Sequence, residues 1–212
     1  MRSVLAILLA AFSANALAVD CSPDSLRSEL LERRAKDQAA RQGLLGGSSP
    51  SKDRIAEVLA IDAGNTKFMR SVIESCQWPK ASEVGEDGAQ AAWLLVQHAD
   101  QSPDFQVEAA RKMRVAVASG EASAFRLAIL VDRNRRLTHL PQVYGHQFEK
   151  GADGVIRFFD IASSHYLDAR RKEIGLKSFY CFVLEVAGAN GGARFEWPVG
   201  VPFVPETCGG GS

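Results

Sequence analysis

The sequence predicts a mainly α fold of the α+β type: a helical bundle of about five to six helices with a small β-hairpin and an extended C-terminal segment. Three observations carry this reading. Apolar residues recur at helical spacing from Leu26 to Leu130, the run Gly151-Ala152-Asp153-Gly154 separates two short aromatic-rich stretches, and turn formers crowd the last part of the chain. The 212 residues, 46% of them hydrophobic, suffice for one sizeable core. The 25 basic and 25 acidic side chains cancel, so no global basic field points to nucleic acid or to an anionic membrane surface.

Residues 1–18 read as a secretory signal peptide. Arg2 supplies the positive n-region, residues 4–14 a short apolar core, and Ala16-Leu17-Ala18 an A-x-A cleavage signal. The apolar run falls short of the roughly 20 residues a membrane span needs, and Asp20 stands where a lipobox wants a small residue before Cys21. The expected protein is periplasmic or secreted, with no membrane attachment after cleavage. In such an oxidising compartment Cys21, Cys76, Cys181 and Cys208 read as two disulfides, since none of their spacings is C-x-x-C and no zinc pattern surrounds them.

Residues 19–52 form an N-terminal helix and linker. Leu26, Leu30 and Leu31 give that helix a narrow apolar stripe, Ser22 or Asp24 can cap it, Pro23 suits its first turn, and residues 43–52 are linker-like. Residues 53–180 form the core helical domain. Asp53 opens a second helix carrying Ile55, Val58 and Leu59. Gly64-Asn65 interrupts it, and Phe68, Met69, Val72, Ile73 and Cys76 resume it before Pro79. Two antiparallel helices here would bring Cys21 to Cys76, leaving Cys181 for Cys208. Helices follow at 88–98, apolar nearly all round, at 103–119 and at 121–136. Residues 142–148 and 155–161 read as a hairpin and 163–174 as a short helix; about the last 35 residues read as strand- and turn-like, with 179–186 as the best strand and 181–212 as an extended C-terminal segment. The tail 209–212 reads as flexible. Trp78 and Trp93 read as core, His139 and His165 as surface.

No Walker loop, GxGxxG, GxSxG, HExxH or EF-hand loop is present. Polarity instead gathers at the ends of the two most apolar helices, in Gln97-His98-Ala99-Asp100 and Asp132-Arg133-Asn134. In an up-down-up arrangement those ends share one end of the bundle, beside Gln142-Val143-Tyr144-Gly145-His146-Gln147. The candidate catalytic set is His98 as general acid or base, Asp132 as its orienting carboxylate and Arg133 as anion holder. Asp100, Gln142, Tyr144 and Gln147 are the candidate substrate-binding residues. Each also has a structural reading: His98 as a hydrogen-bonded core histidine, Asp132 as a buried carboxylate paired with Arg133, Arg170 or Arg171, and the glutamines as strand-edge polarity. The basic runs at 133–136 and 170–172 read as solvated helix ends. The cofactor is unknown, and the spacing of His98, Asp100 and Asp132 is no recognised metal pattern.

Several of these pieces occur as an ordered series: Trp78-Pro79, Ser82 with Val84-Gly85, the run 91–100 ending in Gln97-His98-Ala99-Asp100, 127–133 ending in Asp132-Arg133, 142–147, and 167–176 with Arg170-Arg171. The series resembles the bacterial family known as domain of unknown function 6624, whose pattern has a GWP, a QHAD, a DR after an apolar helix and a QYGTQ. The resemblance covers about residues 53–180. Gln77 stands at the Gly of GWP and His146 at the Thr of QYGTQ. The resemblance implies a helical domain with a polar motif set and names no mechanism. The residues themselves support an exported hydrolase acting on an envelope or extracellular substrate by activating water. The alternative is a non-catalytic periplasmic binding module for a small polar ligand or a protein partner.

Overall fold

The structure, a computed structural model, describes residues 19–42, 44 and 51–208. The segment read as a signal peptide, most of the 43–52 linker and the tail 209–212 lie outside the described residues.

The described residues form seven α-helices and one two-stranded antiparallel hairpin, a mainly α fold with a small β element. Helix α1 (Pro23–Gln42) buries Leu26, Leu30 and Ala40, and the main-chain oxygen of Ser22 accepts its first helical bond. Helix α2 (Lys52–Cys76) begins at Ser51, whose hydroxyl accepts from Arg54 N at 3.3 Å. It runs unbroken through Gly64-Asn65, contrary to the expected interruption. A mid-helix glycine costs only about 1 kcal/mol, and the buried Val58, Met69, Val72 and Ile73 along the same helix outweigh that.

Helix α2 ends at Gln77 with φ 65° and ψ −159°, a region that is close to glycine-only. A glycine would meet this backbone without strain, and Gln77 holds it while its side chain accepts from Lys112 Nζ at 2.8 Å. Helix α3 (Ala81–Gln97) starts earlier than the apolar pattern suggested and is kinked at Gly85, φ 73°. Helices α4 (Pro103–Ala118) and α5 (Ala124–Leu137) follow, the second capped by Ser123.

Directions follow from the contacts. Arg27 meets Asp87 near the starts of α1 and α3, and Asp37 meets His98 near their ends, so the two run parallel. Trp93 Nε1 donates to Arg126 O at 2.9 Å and Arg133 pairs with Asp100, so α3 and α5 are parallel as well. The disulfide Cys21–Cys76 ties the start of α1 to the end of α2, which makes that pair antiparallel. These five helices enclose one core, built around Met69, Leu95, Phe105, Met113, Leu127 and Leu130. Trp78 is buried in it, Trp93 packs at its edge, and His139 and His165 are exposed.

A second, smaller core lies C-terminal. Strands β1 (Phe148–Lys150) and β2 (Ile156–Phe158) pair antiparallel with Phe148 opposite Phe158, shorter than the runs the sequence suggested but across the expected Gly-Ala-Asp-Gly turn. Helices α6 (Leu167–Glu173) and α7 (Phe179–Ala189) complete it. The strand expected at 179–186 is this last helix. Its residues have high β-propensity, yet Phe179, Phe182, Val183 and Val186 are buried at i, i+3, i+4 and i+7, and Ser178 Oγ caps the start by accepting from Cys181 N at 3.2 Å. Beyond it the chain is irregular, and Cys181–Cys208 fastens it back on α7.

Candidate active site

The end of α1 meets the middle of α2 and the end of α3 in a cluster of four charged or titratable side chains. Asp37, 1% exposed, sits with both carboxylate oxygens against His98 Nδ1, at 2.9 and 3.0 Å. An ionised carboxylate only accepts, so Nδ1 carries a proton toward Asp37, and Arg41 Nε, 3.1 Å from the same nitrogen and itself a donor, finds its acceptor in Asp37 Oδ1 instead. Gln38 Nε2 donates to the other side of Asp37 at 2.7 Å. Arg41 Nε lies 3.2 Å from Asp37 Oδ1, and its guanidinium also holds Asp62.

Burial opposes ionisation of Asp37, but the hydrogen bond and charge of His98, with Gln38 and Arg41, outweigh it and hold the carboxyl below its ordinary value. Asp62 goes the other way: burial raises it despite the Arg41 hydrogen bond, and the neighbouring Asp37 charge adds to the rise. Nε2 of His98 has no hydrogen-bond partner among the described residues. His98 lines a cavity of about 280 Å³ together with Asp62, Thr66, Lys67, Arg70, Gln101 and Ser102.

Asp37, Asp62 and His98 also offer ligand atoms that lie within 4.8 Å of one another. Two carboxylates and an imidazole suit a divalent cation by donor type. Here the Arg41 guanidinium bonds to both carboxylates and already supplies the positive charge between them.

The remaining residues singled out in the sequence belong to other networks. Asp100 forms a two-point ion pair with Arg133, 3.0 Å to Nε and 2.6 Å to Nη2, and also faces Gln106 Nε2 at 3.4 Å. Asp100 of this pair lies two residues beyond His98, just past the end of α3, but outside the lining of the His98 cavity. Asp132 lies farther along, fully buried, and the carboxylate on His98 Nδ1 is Asp37 instead. The cationic partners considered for Asp132 are replaced by main-chain amides: Val143 N at 2.6 Å, Tyr144 N at 3.0 Å and His146 N at 2.9 Å.

Gln142 acts on the same loop. Its Nε2 donates to Gln147 O at 3.0 Å and Phe159 O at 2.8 Å, and its Oε1 accepts from Gln147 N at 2.7 Å. Tyr144 is buried and its hydroxyl takes a bond from Arg114 at 3.1 Å. Gly145 has φ 76°, and a Cβ there would lie 2.7 Å from the Phe179 ring. From the other side Arg170 donates to Val143 O and Ala162 O, and the buried Arg171 donates to Tyr144 O and Lys177 O. Burial pulls Arg171 down to about 10, which still leaves it charged at neutral pH. The two basic residues are thus anchors for carbonyls rather than solvated helix-end charges.

A family model matches residues 23–192. The chain belongs to a family of unknown function, DUF6624. No curated protein and no solved structure matches it. The matched DUF6624 region begins at α1, so it includes Asp37, Arg41 and Asp62 along with His98. Asp37, Arg41 and Asp62 belong to none of the motifs that the sequence displays. A signal was present: Leu26, Leu30 and Asp37 fall on one face of α1, so an acid occupies a core register. The partner across the interface, His98, has no such signature linking it to α1.

Proposed function

We propose that the protein is an exported hydrolase in which His98, oriented by Asp37, activates water against an envelope or extracellular substrate. One observation carries the reading: a buried carboxylate on Nδ1 of a histidine whose Nε2 is unpartnered among the described residues and which lines a cavity of about 280 Å³. The carboxylate fixes the tautomer and stabilises the imidazolium that forms when Nε2 takes a proton. In the reaction a water bound at Nε2 gives its proton to the ring as its oxygen adds to the electrophilic centre. The imidazolium then returns that proton to the leaving group, so the ring ends as it began. Arg41 keeps Asp37 ionised throughout, and Asp62 at the cavity wall is a second acceptor. Export is supported by the A-x-A-bounded apolar segment at 1–18, by two disulfides, and by the finding that no described helix is long and apolar enough to cross a membrane.

The test is a panel of chromogenic esters and phosphoesters assayed with wild type, His98→Ala and Asp37→Asn. Turnover in wild type should vanish in His98→Ala and fall about 10²–10⁴-fold in Asp37→Asn, whose amide favours the wrong tautomer. Activity that survives both substitutions overturns the reading. Melting-temperature gains with small polar compounds, without turnover of any of them, would move the site to the binding-module alternative.

A further inference from the structure

We infer that the His98 cavity receives an anionic oxygen group, phosphoryl or carboxylate, on the cationic pair Lys67 and Arg70. The inference rests on the reading of this cavity as the working site and adds its ligand class. Lys67 and Arg70 are three residues apart on α2, hence neighbours on one helix face, and both line the cavity with His98.

Elsewhere some exposed and half-buried cations have carboxylate partners, while others, such as Arg34 and Arg111, have none among the described residues. Arg27 pairs with Asp87, Arg41 with Asp62, Arg133 with Asp100, and Arg157 with both Asp153 and Glu196. Among the described residues no carboxylate lies within ion-pair distance of Lys67 or Arg70. The cavity's own acid, Asp62, is engaged by Arg41. Positive charge at this wall is therefore left over.

Arg70 is also held in place without being neutralised. Its guanidinium carbon stands 4.6 Å from the centroid of the Phe105 ring, and Phe105 is 1% exposed. Stacking on an aromatic face fixes the plane of the fork and uses none of its five N–H donors. Such a fork matches the two oxygens of a carboxylate or phosphoryl group, and Lys67 adds a mobile point charge beside it. Gln101 and Ser102, between α3 and α4, also line the cavity and can donate further hydrogen bonds. A substrate anchored by its anion in this cavity lies against His98, and charge that develops on its oxygens during water attack meets fixed cations.

The probes are inorganic phosphate and acetate, titrated into isotope-labelled full-length protein at constant ionic strength against a chloride control. The readout is the imidazole nitrogen and proton signals of His98. Saturable shifts with phosphate, acetate or both are expected in wild type, the stronger one naming the source of the anion. Lys67→Gln/Arg70→Gln should weaken the binding at least about tenfold, and Arg70→Lys should retain part of it. Equal shifts with chloride, no shift with either anion, or undiminished binding in a folded double variant would each overturn the inference. Failure of the hydrolase reading is separable: anion binding that persists while Asp37→Asn leaves turnover untouched removes the base, not the anion site. Turnover that needs Asp37 and His98 but ignores both cations removes the anion site alone.

Discussion

His146 is the least well-served polar side chain beside the second core. The residue is 6% exposed, and both ring nitrogens are buried without a hydrogen bond. Its ring lies edge-on to Phe125 and tilted over Phe182, at centroid distances of 5.2 and 4.7 Å. The nearest charges are Asp132, 3.7 Å from Nδ1, and Arg171. Burial lowers its pKa, and Arg171 adds to that, while Asp132 opposes both without winning. The folded state therefore binds a proton less readily than the unfolded chain. Above the ordinary imidazole value of 6.5 neither state is charged and stability is unaffected. As pH falls through that value the unfolded chain takes up a proton first, and stability declines by up to about 1.4 kcal/mol per pH unit until the folded pKa is reached. Urea unfolding of wild type and His146→Leu between pH 7.5 and 5, on the order of one point per half unit, should show a decline in wild type that is smaller in the variant. Parallel curves would mean that His146 keeps its ordinary protonation when folded. The substitution also removes two unsatisfied buried nitrogens, so at pH 7.5 it should be neutral or stabilising.

At the level of elements, the loop 142–147 shows what a sequence can and cannot disclose. Asp132, Gln142, Tyr144 and Gln147 were legible as polar residues converging on one region, whereas Arg170 and Arg171 read as solvated helix-end charges. Their purpose was not legible. A carboxylate that binds main-chain amides and one that orients a histidine look the same in one dimension, since backbone N–H groups have no letter of their own. Helix α7 was misread for a related reason. A short run of Phe, Tyr and Val is equally suited to a buried strand or a buried helix, and the choice fell to packing against Leu167 and Ile156, which are distant in sequence. The bundle itself was legible because its periodic stripes are long, and so were the disulfides that its antiparallel pair implied. Asp132 carries the consequence. Replacing it with Ala strips the partners from Val143, Tyr144 and His146 amides, at about 1–3 kcal/mol for each group left unsatisfied in the interior. Asp132→Ala should therefore lose about 3 kcal/mol or more in urea unfolding, and Asp132→Asn, which keeps one acceptor oxygen, should lose less. Hydrogen exchange should report the loss first in 142–147. A stability within about 0.5 kcal/mol of wild type would remove the anchoring role.

Across the whole molecule, the site depends on how α1 is docked. Asp37 and Arg41 reach His98 and Asp62 only because α1 lies along α3 and α2. The helix is charge-rich, and its buried apolar contribution is limited to Leu26, Leu30 and Ala40. What else holds it is the ion pair Arg27–Asp87, which is about half exposed and so contributes little, the bond from Arg33 to Asn65, and the disulfide at its first turn. Cys21–Cys76 closes a loop across 55 residues, which in the chain-entropy model is worth about 4 kcal/mol. The core around Met69, Leu95 and Leu127 involves α2 to α5 as well, so it does not rest on this bond. Cys21→Ser/Cys76→Ser should therefore fold, with stability reduced by up to about 4 kcal/mol. Hydrogen exchange should rise along 23–42 more than along α3 or α5, as α1 opens separately from the rest. The same variant should lose the Asp37 contact for part of the time, so the tautomer ratio at His98 shifts toward that of a free imidazole and any turnover falls in proportion. Unchanged protection of 23–42 in this variant would show that side-chain packing alone seats α1, and the Asp37–His98 contact would then be independent of the oxidation state of the protein.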